Sequence, residues 1–82
     1  MAWHKRIDGA PELPEGLWYK TSYMGFGMIR VAIRPRRLFS GVRGESWADA
    51  TRPISIAAED AVEDMKNEDA RKEAFRENSK WL

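Results

Sequence analysis

The 82 residues, 43% of them hydrophobic and 33% charged, suffice for one small domain and leave little room for a deep substrate cavity beside a core. There is no cysteine, which excludes disulfides, thiolate nucleophiles and cysteine-based zinc sites and fits a reducing, cytoplasmic setting. A formal net charge of +1 hides a split: residues 1–53 carry nine Lys+Arg against five Asp+Glu, net +4, and residues 54–82 carry five against eight, net −3. Such a dipolar distribution steers and orients a charged partner.

Residues 1–16 read as an irregular arm, because Gly9, Pro11, Pro14 and Gly16 break regular structure. Trp3 is expected to pack back onto the domain edge. The arm has no apolar h-region and so is not a signal peptide, and Met1 is expected to open a complete reading frame. No uncharged apolar run approaches the ~20 residues of a membrane span. Residues 17–34 predict a β-hairpin, with aromatic and β-branched residues in the first strand and a turn or bulge at Gly25-Phe26-Gly27. Residues 28–34 alternate cleanly: Ile29, Val31 and Ile33 on one face, Met28, Arg30, Ala32 and Arg34 on the other. Tyr19 and Tyr23 share a parity and are assigned to the core. Trp18 shares the opposite parity with Lys20, and is read both as a core residue and as a member of the basic face.

Pro35 closes that strand, and residues 38–43 predict a third antiparallel strand. Residues 44–53 form a connector in which Ser46 and Asp49 have the spacing of a capping pattern, with a short helical turn at 47–50. Residues 55–66 predict a helix with Ser55 as its N-cap and Glu59 and Asp60 near its positive end. Ile54, Ala58, Ala61, Val62 and Met65 make its apolar stripe. A second helical stretch, 68–80, places Ala70, Ala74, Phe75 and Trp81 off that stripe, so either the helix breaks near Asn67 or it buries two different faces. The fold expected is thus α+β: one domain over 1–82, with a three-stranded antiparallel sheet across 17–44 packed against a C-terminal helical segment, 55–80.

Chemistry-bearing constellations are few. His4 is the single histidine, which gives no second ligand for a metal and a weak case for a general base. The acid pairs Glu59/Asp60 and Glu63/Asp64 share a helix face and read as a solvated surface. No cofactor and no enzymatic activity are expected. The arginines stand out. Arg30 and Arg34 lie on one strand face with ~13 Å between their Cα atoms, and Arg36, Arg37 and Arg43 extend the patch. The planar guanidinium fork suits phosphate, and Trp18 and Lys20 beside it add stacking and charge. The competing reading is a solubilising face, or ion pairs within the molecule.

The pattern resembles the N-terminal arm-type DNA-binding domain of lambda-type phage integrases over roughly residues 13–66. Leu13-Pro14-Glu15-Gly16-Leu17-Trp18-Tyr19-Lys20 is similar to its opening strand; the glycine-rich turn, Arg34-Pro35 and Ile56-Ala57-Ala58-Glu59-Asp60-Ala61 are similar too. The stretch holding Trp47 is longer than in that family, and no recombinase domain follows. The resemblance implies a three-stranded sheet, backed by one helix, that enters the major groove of DNA, in a binding module and not a recombinase.

Two functions are expected from these readings. One is a binding module that contacts nucleic acid through Arg30, Arg34, Arg36, Arg37, Arg43, Trp18 and Lys20. The other is a phage or mobile-element inhibitor or adaptor that binds a host protein or nucleoprotein complex through its charged faces. Phe75, Trp81 and Leu82 are the candidate residues for a protein contact or a homodimer.

Overall fold

The computed structural model describes residues 2–37 and 40–79, without the side chains of residues 75 and 77–79. It is an α+β fold: four strands, β1 (Ala2–His4), β2 (Leu17–Gly25), β3 (Met28–Pro35) and β4 (Gly44–Asp49), then one helix, α1 (Ile54–Ser79). The sheet is an antiparallel meander in the order β1-β2-β3-β4.

The sheet has four strands where three were expected. The arm is irregular only in part, because Ala2–His4 pairs with Lys20 and its neighbours on the outer edge of β2. Of the strand expected over 38–43, residues 38 and 39 lie outside the described residues and 40–43 are not a strand; the last strand is Gly44–Asp49, in the stretch read as a connector. Gly44-Glu45-Ser46-Trp47-Ala48 alternates small inward residues with larger outward ones, which is the pattern of a half-covered strand. Asp49 ends it: its Oδ1 accepts from the Thr51 N–H and the Thr51 hydroxyl, both at 2.8 Å, in the turn that leads to the helix.

The β2–β3 turn has Phe26 and Gly27 as its central residues, at φ 54° and 72°. Positive φ at both positions matches the right-handed twist of the flanking strands. The register shifts between Tyr23 and Gly25, where Gly25 has φ 85°. This bulge lies beyond Trp18 and Tyr19, so it leaves their faces unchanged.

One core joins sheet and helix. Tyr19, Val31 and Ile33 face Ala57, Ala58, Ala61, Val62 and Met65, all buried. Complete burial of Val31 and Ile33 contributes about 2 kcal/mol each. The helix lies over β3 and β4. Ile7, Ala10 and Leu13 pack on the same core, and the Tyr19 hydroxyl donates to the Pro11 carbonyl at 2.6 Å. The arm is thus an ordered cover for the β2 side. Three alanines of the helix, Ala57, Ala58 and Ala61, let it approach the sheet closely, most of all at Gly44, where an added Cβ would meet the Ala61 carbonyl oxygen at 2.5 Å and Met65 at 2.8 Å.

Helix α1 is continuous through Asn67, without the expected break. It begins at Ile54, one residue before the expected cap, and its first turn holds no acid. Ser55 sits inside the helix, its side chain beside Gly9. Ala70 and Ala74, the members of the second stripe whose side chains are described, are exposed. Of the residues expected to self-associate, the Phe75 side chain, Trp81 and Leu82 lie outside the described residues. No helix among the described residues is long and apolar enough to cross a membrane.

Candidate nucleic-acid interface

Strand alternation sends the core residues toward the helix and leaves the other sheet face uncovered by it. Side chains of directly paired residues share a face, so the register sets that face residue by residue. Trp3 pairs with Lys20, which pairs with Ala32 and, beyond it, Glu45. Trp18 pairs with Arg34, and Ser22 with Arg30, which pairs with Trp47. Three indoles, Trp3, Trp18 and Trp47, therefore stand on one face among Lys20, Arg30 and Arg34.

Cations and rings are in contact there. The Arg36 guanidinium lies over both the Trp18 ring, 5.0 Å from its centroid, and the Trp3 ring, at 5.8 Å. Lys20 Nζ lies 5.1 Å from the Trp3 centroid. These are cation–π distances, and they hold the indoles half-buried without placing them in the core. The core reading of Trp18 is thereby corrected. Ala32, between Arg30 and Arg34, is almost fully buried on this face, as expected for a small residue among long side chains.

The arginines divide into two groups. Arg30 is paired within the molecule: its Nε donates to Glu45 Oε2 at 2.9 Å and its Nη2 contacts the same oxygen. The partner is a strand residue, not a helix acid. Arg34 is also engaged, its Nη2 donating to the Ser40 carbonyl at 2.6 Å and contacting Ser40 Oγ at 3.2 Å. Ser40 Oγ in turn contacts the carbonyls of Pro35 and Arg37 at 2.8 and 2.9 Å. Arg34 and Ser40 thus tie down the ends of the loop that presents Arg36 and Arg37, with the Arg34 Nε buried and unpartnered. Arg30 and Arg34 shape the face, and the cations available to a ligand are Lys20, Arg36, Arg37 and Arg43.

Those last three arginines come together. Arg36, Arg37 and Arg43 line one recess of about 450 Å³ at the end of the β2–β3 pair, together with Trp18, Pro35 and the carboxylate residue Glu15. All three are exposed, and among the described residues none makes a side-chain hydrogen bond or ion pair. Arg43 also borders a second recess, about 340 Å³, whose walls carry Asp64, Glu68 and Lys72.

Acids keep mainly to the other side of the molecule. Glu59, Asp60 and Glu63 are exposed on α1, over the opposite face of the sheet. Asp64 is an exception to the solvated reading, because its Oδ2 accepts from the Glu45 main-chain N–H at 3.0 Å. His4 Nε2 lies 3.4 Å from Thr21 Oγ1 in the β1–β2 pair. Among the described residues no group of His, Asp and Glu is placed to hold a metal ion.

The hairpin end is apolar. Tyr23, expected in the core, is 68% exposed because its position lies past the helix cover; its hydroxyl accepts from the Gly27 N–H at 3.2 Å. Met24 is exposed and Phe26 fully so.

Sequence reasoning reached Trp18, Lys20 and the arginines but missed Trp3, Trp47 and Ser40. Trp47 was legible in the alternation of residues 44–48. Trp3 depends on a three-residue edge strand, and Ser40 on a loop closure, neither of which leaves a periodic signal. Comparisons of the chain with protein-family models, curated proteins and solved structures find no match.

Proposed function

We propose that this chain is a non-enzymatic module that binds nucleic acid through the sheet face away from the helix. The observation that carries this reading is the Arg36 guanidinium over Trp18 and Trp3, beside the exposed Arg37 and Arg43, which are unpaired among the described residues. Guanidinium forks suit phosphate oxygens, and indoles suit base stacking. Segregated acids on α1 would orient the basic face toward a polyanion. The integrase-type resemblance of residues 13–66 points to the same class of ligand.

Fluorescence anisotropy of a labelled oligonucleotide, titrated with protein across a salt series, tests this. Binding that weakens steeply with salt is expected. Changing Arg36, Arg37 and Arg43 together to Ala should abolish most of it while leaving the circular dichroism spectrum unchanged. Salt-independent binding, or a triple variant that binds as wild type, would sink the proposal.

A second reading, an inhibitor or adaptor that docks on a host protein or nucleoprotein complex, is favoured by the hairpin end. Phe26 is fully exposed and held at positive φ, a conformation costly for a residue with a Cβ. Exposed, strained apolar residues are suited to anchoring in a partner's pocket. Under this reading Phe26→Gly removes a protein interaction and leaves nucleic-acid affinity intact; the reverse pattern rejects it.

A further inference from the structure

Resting on the nucleic-acid reading, we infer that the ligand of this face is a single strand: bases stack on Trp18 and Trp3, and phosphates enter the Arg36–Arg37–Arg43 recess. The first reason is width. Four strands put about 14 Å between the outermost backbones, before side chains are added. The duplex major groove is about 12 Å wide and takes a helix or a two-stranded ribbon. β1 and β4 each bring an indole, Trp3 and Trp47, to the outer parts of the face. A face whose aromatic groups reach both margins cannot seat them in a groove that admits only its middle.

The second reason is the kind of surface a base offers. In a duplex only base edges are exposed, and they are read by hydrogen-bonding side chains. This face has few such groups to spare. Arg30 is held by Glu45 and Arg34 by Ser40. What it offers instead are ring faces, which need unpaired bases as partners.

The third reason is Arg36. Its guanidinium already lies over the Trp18 and Trp3 rings, and it has no hydrogen bond or ion pair among the described residues. An incoming base can replace it there, and the guanidinium then turns to the adjoining phosphate beside Arg37 and Arg43. The recess is open and lies directly against Trp18, so one strand can reach ring and arginines together.

The test compares a short oligo-dT, the matching oligo-U and a duplex of the same length by anisotropy, with intrinsic tryptophan fluorescence recorded alongside. At least one single strand should bind ten-fold or more tightly than the duplex and quench the tryptophan signal. With three phosphates neutralised, the logarithmic salt slope for the strand should be about −2. Trp18→Ala should weaken single-strand binding by roughly ten-fold or more, and Trp18→Phe, which keeps a ring on the folded sheet, should retain most of it. Duplex binding equal to or tighter than both strands overturns the single-strand inference and leaves the nucleic-acid reading standing. Strand binding without quenching, and unaffected by Trp18→Ala, overturns the stacking arrangement. No binding to any of the three overturns the nucleic-acid reading itself.

Discussion

The Asp64 carboxylate on the helix accepts a hydrogen bond from the main-chain N–H of Glu45, 3.0 Å away on the edge strand β4. An edge strand exposes main-chain donors to pairing with another chain, and this contact closes one of them with a charged acceptor. The same residue, Glu45, holds Arg30 through its side chain. Asp64 therefore links the helix to the strand that fixes one side of the basic face. Asp64→Ala is expected to lower stability by about 1.5 kcal/mol, the scale of a hydrogen bond to a charged group. Asp64→Asn keeps an acceptor and should lose less. Urea denaturation of both variants separates them, and equal losses would show that charge and not hydrogen bonding matters.

Gly44 is where strand and helix come closest. A Cβ there meets main-chain atoms of Ala61 and Met65, which cannot move aside without shifting the helix. Gly44→Ala is expected to cost about 2–3 kcal/mol, the upper part of the overpacking range, which lowers the melting temperature by roughly 10 °C or more in a domain of this size. A thermal melt within a few degrees of wild type would contradict the tight packing.

Tyr19 links stability to alkaline pH. Burial, and after it the charge of Glu59, raises its hydroxyl pKa above the ordinary value. The folded state thus holds the proton more tightly than the unfolded chain. That contribution is fully present below the unfolded pKa of about 10 and is lost as pH rises through the higher folded value. The phenolate also cannot donate to Pro11. Tyr19→Phe should be less stable at neutral pH by about 1 kcal/mol, with a flatter decline above pH ~10. Parallel stability curves for the two proteins from neutral to strongly alkaline pH would contradict this.

Asp49 makes the opposite prediction at acid pH. The Thr51 N–H, then the Thr51 hydroxyl, hold its carboxyl below the ordinary carboxylate range. Its contribution is present above the unfolded pKa of about 3.9 and disappears as pH falls through the lower folded value. Titration of the Asp49 carboxyl carbon by NMR should give a midpoint below that of a model peptide, and Thr51→Ala should move it upward.

Phe26 carries a conformational cost that glycine would not. Phe26→Gly is expected to be neutral or to stabilise the fold by about 0.5–1 kcal/mol, with removal of αL strain offset by glycine's greater unfolded-state entropy. A clear loss of stability would mean that the exposed ring packs on its own hairpin.

The legible parts of this fold were those with a strict period. Alternation over residues 28–34 assigns Val31 and Ile33 to the core and Arg30 and Arg34 to the opposite face, as the register has them. The three- and four-residue spacing of Ala58, Ala61, Val62 and Met65 finds the helix stripe. Non-local pairing is what periodicity cannot carry. Ala2–His4 is a strand only because β2 offers a free edge, and Glu45 and Trp47 belong to the sheet because Gly44 lets β4 slide under the helix. The continuity of α1 through Asn67 likewise reflects good helix-forming composition, although Ala70 and Ala74 of the second stripe are exposed. The roles of Arg30 and Arg34 changed for a similar reason, since their partners Glu45 and Ser40 lie in segments whose path the sequence left open.

Glu59, Asp60 and Glu63 are exposed on α1, over the sheet face opposite the indoles and arginines, and for the proposed binding this has a geometric consequence. A molecule seated on a polyanion by its sheet turns a negative back to the solvent, so a second polyanion meets repulsion where the first met attraction. On the proposed reading the protein would therefore have a valency of one, coating a strand without cross-linking two.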